Sequence, residues 1–226
     1  MKKRVLVSLL SLCLLIGLMP MTAMAAGGQE MEGEDFLATA VDGVISLTED
    51  VMLTSTAEIV GDLAIQLNGH TISAAKNATV FSIETEADLK IVGPGTVEGY
   101  RAVNRNSTSA TISCDAEGSV ANIAITDEVT VIGGSIHKEE NPPKYQGQAE
   151  EAIVFKSLGT LTVSDSTISG GAGTADESLD GKYVDSGAQF AIGGNGIDFL
   201  QGNIVIENSV INGGDSEFYN AGNALN

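Results

Sequence analysis

The sequence has no tryptophan, only four prolines and two cysteines among its 226 residues. One cysteine, Cys13, lies in an apolar N-terminal segment. Only Cys114 follows that segment, which excludes an intramolecular disulfide framework, and we predict that Cys114 is a small buried residue of a strand. Basic residues are also scarce, with eleven lysines and arginines against thirty aspartates and glutamates. This balance argues against nucleic acid and anionic lipid surfaces as partners, since both require basic patches.

Long apolar runs are missing as well, except at the N-terminus, which reads MKKRVLVSLLSLCLLIGLMPMTAMAAG. A basic start, an apolar run from 5 to 18 and small residues at Ala23 and Ala25 are typical of a secretory signal. We predict a signal peptide over residues 1–25 and a linker over 26–33. The run is too short to cross ~30 Å of hydrocarbon comfortably. The expected product is secreted or displayed on the cell surface, with no membrane insertion after cleavage.

What the chain has in abundance is one repeated phrase of alternating polar and apolar residues. Residues 160–171 read TLTVSDSTISGG and residues 203–214 read NIVIENSVINGG. Similar copies begin near Leu63, Leu89 and Val129. Alternation over a few residues indicates a short, half-buried strand, followed here by a polar corner and another β-branched residue. We predict that Ile65, Ile91, Val131, Val163 and Ile206 form one inward stack.

A second apolar strand precedes several copies and carries a phenylalanine, giving equivalent places to Phe81, Phe155 and Phe199. A unit of strand, turn, strand, corner and strand cannot bury its own apolar face, but stacked units can. The sequence therefore predicts an all-β right-handed parallel β-helix over residues 44–226. A hairpin-based sandwich is the rival, and LNGH at 67–70 is its best turn candidate.

The two ends of the predicted stack differ. Phe36, Leu37, Ala40 and Val41 share one helical face, so residues 34–42 are predicted to form a capping helix within a cap that extends to residue 43. At the other end AGNALN (221–226) matches the opening of an earlier copy, GGNGID. We expect that the chain stops inside a repeat and is truncated at its C-terminus.

The cap, followed by GVISLTEDVML and LAIQLNGHTIS, resembles secreted right-handed β-helix surface proteins of gut-type bacteria. More loosely, the repeat is similar to that of the pectin-lyase-like superfamily. The resemblance covers about residues 34–226 and implies the fold more specifically than an activity. The superfamily includes polysaccharide lyases, glycoside hydrolases, phage tailspikes and adhesins without chemistry.

No catalytic motif of that superfamily is complete in this sequence. GID at 196–198 is similar to a polygalacturonase motif, but the paired aspartates, Gly-His-Gly and Arg-x-Lys of that family are missing. Lyases of that superfamily use calcium-binding carboxylates with an arginine base. The arginines after the signal are Arg101 and Arg105, for which surface positions are the simpler interpretation. We therefore predict no catalytic residues.

Metal motifs are similarly weak. GGNGIDFLQ (193–201) fits a calcium nonapeptide, but such sites form between tandem copies, and the adjacent nonapeptides do not match. The repeat explains Ile197, Phe199 and Leu200 as core residues instead. His70 and His137 are too isolated to predict a transition-metal site. No cofactor is expected, although acidic loops could take up calcium through carboxylate oxygens.

One pattern suggests a binding surface. Insertions at 137–151 and 172–193 interrupt the repeat at the same point, so they should emerge side by side along one edge. All four tyrosines of the chain map to this edge. The predicted ligand-binding residues are Tyr100, Tyr145, Tyr183, Tyr219, Lys144, Lys182, Asp180 and Asp185. The alternative is that tyrosine merely tolerates half-exposed turns in solvated insertions.

The sequence therefore favours an exported, adhesin-like or glycan-contacting module without catalysis of its own. Its expected partner is a polysaccharide or a glycan of a host or cell surface. The alternative is a polysaccharide lyase or glycoside hydrolase whose active site is incomplete in this chain. Neither prediction identifies the ligand.

Overall fold

The computed structural model describes residues 28–75, 78–103, 109–138, 147–175, 191–216 and 221–226. The described part is mostly β and contains one short helix, α1 (Gly33–Ala38). The strands are β1 (Gln29–Met31), β2 (Val44–Ser46), β3 (Val51–Leu53), β4 (Ala57–Glu58), β5 (Leu63–Gln66), β6 (Thr71–Ala74), β7 (Phe81–Ile83), β8 (Ala87–Val92), β9 (Gly95–Glu98), β10 (Arg101–Val103), β11 (Ile112–Ala116), β12 (Ala121–Thr126), β13 (Val129–Ile132), β14 (Ser135–Lys138), β15 (Gly147–Gln148), β16 (Ile153–Ser164), β17 (Thr167–Ser169), β18 (Gly173–Ala175), β19 (Ala191–Ile192), β20 (Ile197–Glu207) and β21 (Val210–Asn212).

These strands form four sheets, and every pairing between them is parallel. A seven-stranded sheet runs β1-β3-β6-β9-β13-β17-β21. A nine-stranded sheet runs β2-β5-β8-β12-β16-β11-β7-β4, with β20 also paired to β16. The other two sheets, β10-β14-β18 and β15-β19, are short. The prediction of an all-β chain built from parallel strands is confirmed.

Polar corners turn the chain from strands of the nine-stranded sheet into strands of the seven-stranded sheet, as between β5 and β6, β16 and β17, and β20 and β21. Asn68, Asp165 and Asn208 occupy these corners with φ of 52°, 48° and 49°. Asparagine and aspartate tolerate this left-handed region better than other residues with a Cβ. The LNGH segment is such a corner and not a hairpin, since β5 and β6 on either side of it lie in different sheets.

Aliphatic side chains from successive repeats are in register inside the nine-stranded sheet. Ile65 pairs with Ile91, Ile91 with Ile125 and Ile125 with Val163, and all four are buried completely. The predicted inward stack is therefore correct for Ile65, Ile91 and Val163. Ile206 pairs with Val163 but is exposed, and Val131 is not part of the stack. That residue lies in the seven-stranded sheet between Val97 and Ile168, because residues 121–126 are the true copy of the phrase.

The phenylalanine alignment is correct for two of its three members. Phe155 pairs with Phe199, and their rings stack with centroids 5.8 Å apart. Phe81 is shifted by two residues, because it pairs with Ile112, which in turn pairs with Ile153. Cys114 is buried in β11 next to Phe155, as predicted.

The N-terminal end differs in detail from the prediction. Residues 29–31, predicted to belong to a linker, form β1 and pair with β3. Helix α1 ends at Ala38 and buries Phe36, whereas Val41 is 71% exposed. Val41 instead forms an antiparallel bridge with Val44 around the turn at Asp42-Gly43, where both residues have positive φ. The helix is therefore shorter than residues 34–42.

The last repeat is less well covered than the others. Ile206, which continues the inward stack, is 39% exposed, and Leu200, predicted to be a core residue, is 58% exposed. Residues 224–226 form hydrogen bonds with the beginning of β20, and Leu225 makes a parallel bridge with Ile197. In the ranges given above, no helix is long and apolar enough to span a membrane.

Candidate functional site

The edge that carries the two insertions is formed by the two short sheets, which we call the lateral sheets. Lys138, at the end of β14, pairs with Ala175, at the end of β18. Gly147, at the start of β15, pairs with Ala191, at the start of β19. Residues 139–146 and 176–190 therefore leave from paired positions and return to paired positions. The sequence predicts that both insertions interrupt the repeat at the same point, and this pairing agrees with that prediction.

Of the eight predicted ligand-binding residues, the structure describes Tyr100. Its side chain is half-buried against the core, and its carbonyl oxygen accepts a hydrogen bond from the Ser135 N–H group at 3.1 Å. Tyr100 lies directly before β10, and β10 pairs with β14, the strand that precedes the first insertion. The other seven lie outside the described residues: Tyr145, Tyr183, Tyr219, Lys144, Lys182, Asp180 and Asp185.

Outgoing segments, which lead from the seven-stranded sheet toward the lateral edge, alternate with returning segments, which lead back from that edge toward the nine-stranded sheet. Together they form one ladder of backbone hydrogen bonds. We call this ladder the glycine junction. Each member after the first donates its N–H group to the carbonyl oxygen of the member before it, over nitrogen–oxygen distances of 2.8–3.0 Å. The members, in order, are Gly134, Glu150, Gly171, Gly194, Gly214 and Gly222.

At three positions of this ladder glycine is required, because the backbones approach too closely for a side chain. A Cβ on Gly171 would lie 2.0 Å from the carbonyl oxygen of Gly134. A Cβ on Gly194 would lie 2.0 Å from the carbonyl oxygen of Glu150, and one on Gly214 would lie 1.9 Å from that of Gly171. These glycines are needed for close approach rather than for an unusual φ, as no positive φ is found at any of them.

Glu150 is the member of the junction that carries a side chain. The pKa of its carboxyl group is raised to about 8, mainly because burial desolvates the group and also because of the hydrogen bonding and the negative charge of Glu151. The Glu151 carboxylate also accepts a hydrogen bond from the Asn195 side-chain amide at 3.3 Å. A carboxyl group with this pKa can keep and donate a proton at neutral pH.

The histidines and the calcium motif have structural roles in the described part. His70 Nδ1 lies 3.4 Å from an Asp50 carboxylate oxygen, and His137 Nδ1 lies 2.9 Å from the Thr174 hydroxyl on the lateral sheet. Asp198, the aspartate of the nonapeptide, accepts a hydrogen bond from the Asn226 side chain at 3.0 Å. No group of three or more metal-ligating side chains occurs among the residues of known placement.

The sequence analysis did not identify Glu150 or the junction. Their signal was present, since pairs of consecutive glycines occur at 133–134, 170–171, 193–194 and 213–214, on both sides of an insertion. Their recurrence before and after the same insertion indicates two chain segments in close contact. Comparison with known proteins found no matching family model, no matching curated sequence and no matching solved structure.

Proposed function

We propose that this chain is an exported right-handed parallel β-helix module that contacts glycans through its lateral edge and has no catalytic activity of its own. The parallel pairing of equivalent strands supports the helical fold, because each repeat would add its strands beside those of the preceding repeat in the long sheets. A rigid stack of this kind projects a binding surface from a cell without needing an enzymatic site.

The proposed location, secreted or on the cell surface, rests on the N-terminal segment. A basic start and a short apolar run that ends in Ala23-Met24-Ala25 are read by the secretory machinery. The exported protein should begin at Ala26. N-terminal sequencing checks this, and an exported protein that begins at Met1 would contradict it.

The observation that carries the glycan proposal is the pairing of the strands that flank both insertions. Paired parallel strands lie ~4.8 Å apart, so aromatic side chains at equivalent points of successive repeats would form a ladder close to the spacing of sugar rings. A sugar packs its C–H face on an aromatic ring. Its hydroxyl groups would bond to Lys144, Lys182, Asp180 and Asp185. The same acidic loops would also take up calcium through their carboxylate oxygens.

The test is a glycan array probed with the exported chain and with the double variant Tyr145→Ala, Tyr183→Ala. We expect the wild-type protein to bind a subset of glycans and the double variant to lose that binding. Both proteins should have the same melting temperature, because the substitutions leave every residue of the long sheets unchanged.

A matched variant separates the aromatic ring from the hydroxyl group. Tyr145→Phe with Tyr183→Phe keeps both rings, so it should retain most of the binding. Equal binding by wild type and the alanine variant would exclude the tyrosine edge as the ligand surface. Absence of binding to every glycan would contradict the proposed function itself.

The second candidate function is glycoside hydrolysis, and the raised pKa of Glu150 is the observation that favours it. Hydrolases of this kind need a protonated carboxylic acid together with a second carboxylate, ~5–5.5 Å or ~6.5–9.5 Å away. Glu150, however, has its backbone held in the glycine junction, and the carboxylate of the adjacent Glu151 is itself bound by the Asn195 amide. Release of reducing ends from a bound polysaccharide, lost on Glu150→Gln, would favour hydrolysis over binding alone.

A further inference from the structure

The sequence contains three Asn-Gly pairs, at 68–69, 195–196 and 212–213, and the structure describes all of them. The glycine nitrogen of such a pair can attack the side-chain amide of the asparagine before it, because no Cβ hinders the approach. The attack requires a glycine N–H group that can lose its proton and an asparagine side chain that can turn toward the backbone. Hydrogen bonds to either group therefore slow the reaction.

The first pair is held at both reacting groups. The Gly69 N–H group donates to the Pro94 carbonyl oxygen at 2.6 Å. The Asn68 side-chain amide donates to the Ser46 hydroxyl at 2.9 Å and to the Leu47 carbonyl oxygen at 3.0 Å. These three hydrogen bonds would have to break before the glycine nitrogen could reach the amide, so the fold should protect Asn68.

The second pair is held in the same way by its neighbours in the stack. The buried Gly196 donates its N–H group to the Asn223 carbonyl oxygen at 2.8 Å. The Asn195 side chain donates to the Glu151 carboxylate at 3.3 Å and accepts from the Asn223 N–H group at 2.9 Å. The Asn195 carbonyl oxygen also accepts from the Ala152 N–H group at 3.1 Å. Both the nucleophile and the amide of this pair are therefore restrained.

The third pair differs from the other two at its nucleophile. In the described part of the chain the Gly213 N–H group has no hydrogen-bond acceptor. Asn212 is exposed, and its side-chain amide makes one long hydrogen bond, 3.4 Å, to the Ser169 hydroxyl. The Asn212 carbonyl oxygen accepts from the Gly170 N–H group at 3.1 Å, as the carbonyl oxygen of the second pair does from its own donor. Fewer hydrogen bonds therefore oppose the reaction here.

From this difference we infer that Asn212 is a modification site, at which the folded protein deamidates without an enzyme. The Gly213 nitrogen loses its proton and forms a bond to the side-chain carbonyl carbon of Asn212, and the amide group leaves with that proton as ammonia. Water then opens the resulting succinimide ring at either carbonyl group, which gives aspartate or isoaspartate. Water is the only co-reactant, and the inference does not depend on glycan binding.

Both products change the chain where it enters the glycine junction. Each adds a negative charge at the exposed end of β21. Isoaspartate also directs the backbone through the former side chain, which lengthens the chain by one methylene group directly before Gly213. The next residue, Gly214, donates to the Gly194 carbonyl oxygen at 2.8 Å and accepts from the Gly222 N–H group at 3.0 Å. We expect isoaspartate to weaken these two hydrogen bonds.

The test is incubation of the whole exported chain at neutral pH, followed by peptide mapping with mass spectrometry. Deamidation replaces an NH2 group by a hydroxyl group, and fragment ions locate the resulting mass increase. The same incubation in denaturant gives the rate of each pair without the fold, and there we expect three similar rates. In the folded protein Asn68 and Asn195 should react at least about tenfold more slowly than Asn212, because their hydrogen bonds must break first.

The matched control is Asn212→Ser, which removes the reacting amide at an exposed position. This variant should show no mass increase at residue 212, while Asn68 and Asn195 keep their slow rates. A second measurement is hydrogen exchange of the three glycine amides, in which Gly213 should exchange faster than its counterparts in the other two pairs. The inference is overturned if the folded protein deamidates at Asn212 no faster than at Asn68 and Asn195, or if the Gly213 amide is as protected as the other two.

Discussion

The long sheets and the glycine junction are both buried and both built from successive repeats, yet they are packed in opposite ways. In the long sheets, side chains fill the space, as Ile91, Ile125 and Val163 do in their register. In the junction, the backbones themselves are in contact, and Gly171 and Gly194 leave no space for a Cβ. The first region is stabilised by apolar area removed from water, the second by hydrogen bonds between close backbones. The two regions should therefore fail under different substitutions.

The largest effect is expected in the long sheets, from Val163→Asp. Val163 is fully buried between Ile125 and Ile206 in the register, so the new carboxylate would have no partner, and we expect a loss of about 4 kcal/mol in the free energy of unfolding. Thr162→Asp places the same group on the outward face of the same strand and should cost less than about 1 kcal/mol. Denaturant unfolding measures both. Equal losses would mean that the inward and outward faces of β16 are exchanged.

A smaller but still large effect is expected in the junction, from Gly171→Ala. One added methyl group would lie 2.0 Å from the Gly134 carbonyl oxygen and must push two hydrogen-bonded segments apart. We expect a loss of about 3 kcal/mol, similar to an overpacked core. The control is Gly118→Ala, where φ is 79° but no atom lies within 4 Å, so only about 1 kcal/mol is expected. If Gly118→Ala proves the more harmful, close approach does not explain the junction glycines.

The smallest effect is expected from Ile206→Asp, which compares the last repeat of the long sheets with their interior. Ile206 continues the register of Val163 but is 39% exposed, so Ile206→Asp leaves its carboxylate in contact with water. We expect a loss of about 1–2 kcal/mol, at most half of that for Val163→Asp. Thermal unfolding of the two variants under one set of conditions gives the ratio. A ratio near one would show that the last repeat is as well covered as the interior.

The sequence predicted the strands better than their partners. Alternation identified the inward positions at Ile65, Ile91, Val163 and Ile206, because period two places every second residue on one face. Alternation failed at Val131, because residues 121–126 and 129–132 both alternate and either segment fits the repeated phrase. Periodicity cannot tell which of two adjacent alternating strands belongs to which sheet. That choice depends on the corner at Asp127-Glu128, where two consecutive residues other than glycine have positive φ.

The site was predicted only in its position along the chain. The insertions interrupt equivalent points of the repeat, and this was sufficient to predict that they start side by side. The junction could not be predicted in the same way, because the need for glycine at 171 comes from a carbonyl oxygen at 134. The burial of Glu150 likewise depends on segments far along the chain. Such distant contacts leave no local pattern beyond the recurrence of Gly-Gly.

The glycine junction also has a consequence for protein engineering. Eight residues separate β14 from β15 and fifteen separate β18 from β19, yet both excursions return to the same register. The hydrogen bonds of the junction hold the two ends of each insertion together, and the entropic cost of closing a loop grows only slowly with its length. Foreign peptides of different sizes could therefore be grafted between Lys138 and Gly147 or between Ala175 and Ala191. The long sheets would then serve as a scaffold for peptide display, and their structure would not depend on the length of the inserted peptide.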